Sequence, residues 1–238
     1  MPEIVIRPDI SAHMRELRQW LEETKKEPLE EMADFFRVRL EQYEDHMAIW
    51  QEAYRRLPEL IPEATQTLLD LGCGTGLEID ELLKCFPKLQ ITGVDLSRDM
   101  LAQLQKKHPQ VRCIQGDYFQ TELGNECFDC AVSVESLHHF TPERKLGLYR
   151  RIYRALKSGG QFWEVDYLAC CREEEELLME TCLEKRRSSG IPDNVFVHFD
   201  TPLTVEHETE LLLQAGFSSV ELVDSIEGAC FLCCKKGT

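Results

Sequence analysis

Positive charge is what this chain has little of. Its 238 residues hold 27 Lys and Arg against 43 Asp and Glu, a formal net charge of −16. A polyanion is repelled by such a surface, so nucleic acid and anionic membranes are not expected as partners. No apolar run approaches the ~20 residues of a membrane-spanning helix. No leader-like apolar stretch stands at the start. Cysteine is plentiful, with eleven residues, but most lie inside apolar runs. Cys85, Cys113, Cys130, Cys230 and Cys233 read as small hydrophobes of buried elements. Cys127 and Cys130, like Cys230 and Cys233, have metal-like spacing. Residues three apart on a strand point to opposite faces, so no metal site is expected from either pair. The composition predicts a soluble, reduced, cytoplasmic protein with one sizeable core and an accessory element.

The chain is organised around Thr67 to Asp95. Leu68, Leu69 and Leu71 form an apolar run broken by Asp70. Gly72, Gly74 and Gly76 follow at alternate positions, then an amphipathic run (Ile79, Leu82, Leu83, Phe86) ends at Pro87. A β-rich run, Ile91 to Val94, finishes on Asp95. This pattern predicts strand, glycine turn, helix and strand, with a carboxylate at the tip of the second strand. Glycines let a backbone approach a ligand closely, and the helix N-terminus offers free N–H groups to an anionic part of it. Asp95 comes 19 residues after Gly76, about where a ribose-binding acid belongs in a βαβ nucleotide site. The spacing is G-x-G-x-G rather than the G-x-G-x-x-G of dinucleotide sites.

Before this stretch, residues 1–8 read as a tail or short edge strand. Ser11 is expected to cap a helix carrying Met14, Leu17 and Leu21. Pro28 then opens one long helix whose apolar stripe runs from Leu29 through Phe36, Tyr43, Met47, Trp50 and Tyr54 to Leu57, ending at Pro58. A stripe of that length must lie along the main domain or against a second copy, so a homodimer through this helix is one expectation. After the glycine stretch, Ser97 caps a helix to Lys107, and Val111 to Gln115 forms a strand leading into Gly116-Asp117-Tyr118. Phe128 to Val134 is a buried strand leading into Glu135-Ser136-Leu137-His138-His139-Phe140. Thr141-Pro142 starts a helix, and Gln161 to Tyr167 is the fifth strand. Glu173 to Glu176 read as the solvated face of a helix. Residues 188 to 203 form an irregular stretch holding His198 and Phe199 as lid candidates. Thr204 caps a helix closed by Ala215-Gly216, and two final strands meet at Glu227-Gly228. In an open parallel sheet ligands lie beyond the carboxyl ends of the strands near the switch in strand order, which is where Glu135 to Phe140 fall.

DLGCGTG followed by VDLS resembles motifs I and II of the class I S-adenosylmethionine-dependent methyltransferases, small-molecule type, over roughly residues 67 to 238. The resemblance implies a three-layer, doubly wound α/β fold: a mostly parallel seven-stranded sheet with an antiparallel C-terminal edge strand. Residues 1–62 would form an N-terminal helical lid and 63–238 the Rossmann-like cofactor domain. It implies S-adenosylmethionine as cofactor and S-adenosylhomocysteine as product. The methionine end would be held at Asp70, Gly72, Cys73, Gly74 and Gly76, the ribose by Asp95 beside Leu96 and Met100. The adenine would lie by Gly116, Asp117 and Tyr118, with Val134 nearby, and Arg39 and Tyr43 would reach over from the N-terminal helix. SLHH matches the family's run after the fourth strand, placing His138 and His139 at the methyl group as base or orienting groups, with His138 favoured as nearer the strand end. His46, Trp50, Glu135, Tyr167 (with Asp166) and His198 would line the acceptor pocket.

Methyl transfer from a sulfonium is an in-line displacement, so the protein chiefly holds donor and acceptor in line and excludes water. A hydroxyl acceptor needs a base; an amine or thiolate needs little help. The Asn-Pro-Pro-Tyr run of relatives that methylate amides and bases is absent, and this, with the acidic charge, favours a small-molecule acceptor at N, O or S. The rival expectations are a non-catalytic S-adenosylmethionine-binding partner protein and an NAD(P)-linked oxidoreductase. The latter is disfavoured by the glycine spacing and the missing Ser/Tyr/Lys pattern.

Overall fold

A computed structural model describes residues 4–238. In chain order the elements are α1 (Ile10–Glu23), β1 (Glu30–Glu31), α2 (Met32–Arg39), α3 (Tyr43–Met47), α4 (Gln51–Leu60), β2 (Thr67–Leu71), α5 (Leu77–Cys85), β3 (Gln90–Asp95), α6 (Arg98–Lys107), β4 (Arg112–Gln115) and β5 (Phe128–Val134). Then come α7 (Pro142–Ala155), β6 (Leu156–Tyr167), α8 (Arg172–Ser189), β7 (Val197–His198), α9 (Val205–Ala215), β8 (Ser219–Ile226) and β9 (Ala229–Lys235).

The seven-stranded sheet has the order β4-β3-β2-β5-β6-β9-β8. The pairs from β4 to β6 are parallel, and β9 runs antiparallel to both β6 and β8, one place in from the edge. Strand alternation divides the core in two. Leu68, Cys130, Val132 and Phe231 pack with Leu57, Ile79, Leu82 and Leu104 on one face. Leu69, Ala131, Phe162 and Leu232 pack with Leu148, Tyr149, Ile152 and Leu212 on the other. The strand order reverses between β2 and β5, whose carboxyl ends carry the glycine loop and the Glu135–Phe140 turn.

Two features bring the remaining side chains to that edge. A third cluster joins Leu21 of α1 to Leu178 and Cys182 of α8 and to Val197 and Phe199. In addition, β1 pairs antiparallel with β7, Glu30 opposite His198. The N-terminal segment and the 190–200 segment are thereby tied into one cover.

The single helix expected from Pro28 to Leu57 is not formed. A two-residue strand comes first, and 3₁₀ turns at Leu40–Gln42 and Ala48–Trp50 separate α2, α3 and α4. Each such turn tightens the winding toward three residues per turn and swings the following stripe around the axis. The apolar residues are thus divided between surfaces: Phe35, Phe36, Tyr43, Met47 and Trp50 line cavities, while Ala53, Tyr54 and Leu57 enter the core. Pro58 lies inside the last turn of α4 rather than ending it. Other corrections are local. Asp9, not Ser11, caps α1 by accepting from Ala12 N at 2.8 Å. Residues 4–8 form no strand. Leu156 pairs with Phe128, so β6 begins where α7 ends. Cys85 is exposed and Cys113 half-buried, while Cys130, Cys230 and Cys233 are buried as expected, and all eleven cysteines are free thiols. Glu174 is not on a solvated face. It is fully buried, with hydrogen bonds from Tyr167 Oη, from Cys170 N at 2.6 Å and from His13 Nε2 at 2.6 Å. No helix among the described residues is long and apolar enough to cross a membrane.

Candidate functional site

The glycine loop follows β2 with Gly72, Gly74 and Gly76 all at positive φ. A Cβ on Gly72 would meet Ser136 Oγ at 2.2 Å, and one on Gly74 would meet Tyr43 Oη at 3.4 Å and Met100 Sδ at 3.6 Å. The backbone conformation therefore favours glycine at both positions, and at Gly72 the space demands it as well. Asp95, at the tip of β3, braces the loop: Oδ2 accepts from Gly74 N at 2.9 Å and Oδ1 from Ser97 N at 2.7 Å. Burial raises its pKa, against the two N–H groups that favour the anion. Beneath the loop Asp70 is fully buried, and neither of its oxygens has a hydrogen-bond partner among the described residues. Burial pushes Asp70 up to about 7, and burial together with the Asp70 charge raises the neighbouring Glu78 well above the carboxylate range.

Gly72, Gly74, Asp95, Leu96, Met100, Gly116, Asp117 and Tyr118 line one cleft, together with Tyr43, Glu135 and His139. Of the remaining expected cofactor residues, Cys73 and Val134 are buried in the first core cluster, Gly76 is the N-cap of α5, and Arg39 lies elsewhere. The cleft's far end is an aromatic slot that the sequence reading missed in part. Phe119 stands 4.7 Å from Phe140, and Phe140 stands 5.4 Å from Phe196. Asp117 is held by its own turn, accepting from Phe119 N at 2.8 Å.

A second cavity, about 590 Å³, adjoins the first and shares Phe36, Tyr43, Glu135 and His139 with it. His46, Trp50, Glu135, His138, His139, Tyr167 and His198 all line this cavity. Arg39 lines it too, paired with Glu30 at 2.8 Å and set 3.9 Å over the Phe35 ring. Among the members not anticipated are two charged residues, Arg7 and Asp200. Asp200 follows His198 in the irregular stretch, and no periodicity marks such a residue.

Asp166, at the end of β6, is fully buried and organises the wall. Its Oδ2 accepts from Leu137 N at 2.7 Å and His138 N at 3.1 Å, while Oδ1 accepts from His138 Nδ1. Burial lowers the His138 pKa, but the charges of Asp166, Asp200 and Glu135 and the Asp166 hydrogen bond outweigh it and raise it to about 9. Burial and the charge on His138 lower His139. Burial, with His139 beside it, takes His198 down to about 3. His198 stacks on Phe35 at 3.5 Å. Glu135 sits at φ +47 with Oε1 buried and unpartnered among the described residues, and burial followed by the Asp166 charge pushes it up to about 8.

Residues 68–160 match a protein family described as "Methyltransferase domain". The biotin biosynthesis bifunctional protein BioHC of Teredinibacter turnerae is 33% identical over 166 residues, 65% of this chain and 27% of that protein. A tRNA N(3)-methylcytidine methyltransferase of Schizosaccharomyces pombe is 27% identical over 219 residues, 85% of each. The chain spans 27%, 39% and 45% of the first three curated relatives it matches. Among solved structures, human N-acetylserotonin methyltransferase in complex with SAM superposes with a TM-score of 0.67 at 20% identity, covering 95% of this chain and 66% of that one. Residues 68–160 are thus similar to a methyltransferase domain, and the chain has the fold of the class I S-adenosylmethionine-dependent enzymes. S-adenosylmethionine is the cofactor of that class, and the orphaned Asp70 carboxylate, the side-chain-free loop, the Asp95 carboxylate and the aromatic slot are a donor set that fits it.

Proposed function

We propose that this protein transfers a methyl group to a small-molecule acceptor. The glycine-loop cleft takes the cofactor and the histidine-walled cavity takes the acceptor. The observation that carries the reading is the shared wall of Phe36, Tyr43, Glu135 and His139, because in-line transfer needs donor and acceptor sites that meet. When bound, the cofactor supplies a methyl group on a sulfonium, which leaves as a neutral thioether.

Residue roles follow from position. Asp70 would meet the cationic amino group, Asp95 the ribose hydroxyls, and Tyr118, Phe119, Phe140 and Phe196 the adenine. Asp166 locks His138 in one ring orientation, and His138 with His139 forms the polar face against which the acceptor's nucleophilic atom is held. Tyr43, Phe36 and Trp50, from the segment before β2, act as the lid that excludes water. The small-molecule acceptor is favoured over tRNA or a carrier protein by the net charge of −16, which repels polyanions and acidic proteins alike.

The test is calorimetric titration with S-adenosylmethionine, S-adenosylhomocysteine and NAD, repeated on Asp95→Ala, followed by methyl transfer to a metabolite panel. Loss of a carboxylate that accepts hydroxyl hydrogens should weaken adenosyl-ligand binding by about 1.5–3 kcal/mol. Binding of NAD alone, or of nothing, sinks the reading. Tight adenosyl-ligand binding with no turnover on any panel would instead favour a binding protein.

A further inference from the structure

The acceptor wall holds more ligating chemistry than methyl transfer requires. His138, His139 and Asp200 each offer one ligand atom, and these atoms lie within 4.8 Å of one another. Asp200 Oδ1 is 3.3 Å from His139 Nδ1 and 3.6 Å from His138 Nε2. Donors bound to one transition ion at ~2.0–2.2 Å stand about 3–3.5 Å apart, so a contraction of about an ångström completes the set. We propose that His138, His139 and Asp200 bind a divalent first-row transition ion, as a two-histidine, one-carboxylate site on the wall of the acceptor cavity.

Three further features favour an ion there. Ligating histidines characteristically donate their other ring N–H to a carboxylate, which fixes the tautomer and the aim of the free nitrogen. His138 Nδ1 does this to Asp166, itself fully buried and held by two backbone N–H groups, leaving Nε2 on the cavity side. The two chain segments are also clipped together at the site. Thr201 donates to the His138 carbonyl from both its N (2.6 Å) and its Oγ1 (3.2 Å), which sets Asp200 opposite the histidines. The third feature is Glu135. Its buried Oε1 has no hydrogen-bond partner among the described residues, and it forms an overlapping set with His138 and Asp166, again within 4.8 Å. Two claims compete for the donors: His139 Nδ1 contacts the Phe199 carbonyl at 3.3 Å, at the long end of the hydrogen-bond range, and an ion at His138 Nε2 must displace a proton that the surrounding carboxylates favour.

Two nitrogens and an oxygen suit Zn²⁺, Fe²⁺ and Co²⁺ rather than Ca²⁺ or Mg²⁺. Three protein ligands leave the remaining positions to the cavity. Resting on the proposed function, the substrate class this implies is an acceptor that presents an oxygen, a hydroxyl above all, to the ion beside the methyl-donor cleft. The coordinated hydroxyl is made more acidic by the ion, and its proton leaves to solvent.

The experiment is titration of the purified, metal-stripped full-length protein with Co²⁺, followed by visible absorption, then competition with Zn²⁺. One equivalent of Co²⁺ should give the intense d–d bands of a low-coordinate N/O site, displaced by Zn²⁺. Asp200→Asn and His139→Gln should weaken binding at least tenfold, and Asp166→Asn, which loosens only the outer carboxylate, about 10–100-fold. Cys170→Ser, at the separate His13–Cys170–Glu174 set, should change nothing. Circular dichroism confirms folding of each variant, and Asp200, whose side chain is 44% exposed, tolerates an isosteric change. Absence of bands at millimolar Co²⁺, thiolate charge-transfer bands, or affinity unchanged in Asp200→Asn would overturn the site. Cofactor titrations on the same samples keep the two readings apart, since Co²⁺ binding does not depend on whether S-adenosylmethionine binds.

Discussion

Lys145 offers a severe test of the packing that holds β6, the strand ending in Asp166, in place. Its ammonium is 2.6 Å from Glu208 Oε2 and 3.7 Å from Glu164 Oε1, and all three side chains have no solvent exposure. Tyr149 Oη lies 3.0 Å from both Glu164 oxygens and also contacts Glu208. One cation among two carboxylates and one phenol leaves a proton to be shared: burial, then the Glu208 charge, raises Glu164 well above its ordinary value. Lys145→Met keeps most of the volume and removes the cation. Glu208 then has only the tyrosine hydroxyl that it shares with Glu164, and removing one partner of a fully buried pair costs about 3–5 kcal/mol. At about 2–4 °C per kcal/mol for a chain of this size, the melting temperature should fall by roughly 6–20 °C. Urea unfolding of wild type, Lys145→Met and Lys145→Met/Glu208→Gln measures it, and the double variant should regain a good part of the loss. The pH dependence has a definite sign. Burial and the Glu208 charge hold the Glu164 pKa above its unfolded value and the Lys145 cation that opposes them is gone in the variant, so the stability that Glu164 protonation permits is present at low pH and lost as pH rises through the folded pKa. The deficit should be smaller at pH 5 than at pH 8. A loss under about 1 kcal/mol, or a double variant no better than the single one, would refute the reasoning.

Three further outcomes follow from the geometry. Burial works against the Asp129 anion, but Lys157, the Thr67 hydroxyl and the Thr67 and Gln66 N–H groups outweigh it and hold its pKa to about 2. With the folded pKa below the unfolded ~3.9, this clamp stabilises above about pH 4 and is lost as pH falls toward 2. Allowing for solvent screening at this half-buried pair, Asp129→Asn should cost on the order of 1 kcal/mol at pH 7 and close to nothing at pH 2 in chemical denaturation. Gly72→Ala should weaken S-adenosylhomocysteine binding more than tenfold, because φ +79 and the 2.2 Å approach to Ser136 Oγ both oppose a Cβ; calorimetry showing unchanged affinity would remove the loop from the site. Trp50→Ala should raise KM for the acceptor and leave cofactor affinity within about twofold, since Trp50 lines only the second cavity; equal losses in both would mean that the lid acts on the cofactor.

What was legible in the sequence was what local pattern determines. Phe128–Val134 is legible with its observed bounds because a short, mostly apolar run after a polar turn has one economical use, and the glycine loop because positive φ leaves few residue choices. The second cavity was legible only by residue type, because its wall converges from residues 7, 35–50, 135–139, 167 and 198–200 through pairings such as β1 with β7 that carry no periodicity. Phe36 and Tyr43 were read into one straight stripe, which a 3₁₀ turn divides. Four consecutive acids ordinarily are solvated; the burial of Glu174 depends on donors from Tyr167 and from His13, the latter distant in sequence.

The shared wall bears on how such a site can diversify. A substitution at Phe36, Tyr43, Glu135 or His139 alters both cavities, so under the proposed function selection for a new acceptor at these positions is also selection on cofactor retention. Arg7, His46, Ile49 and Trp50 touch only the second cavity. They are where a library testing the proposed acceptor preference can vary, with the lining of the glycine-loop cleft left intact.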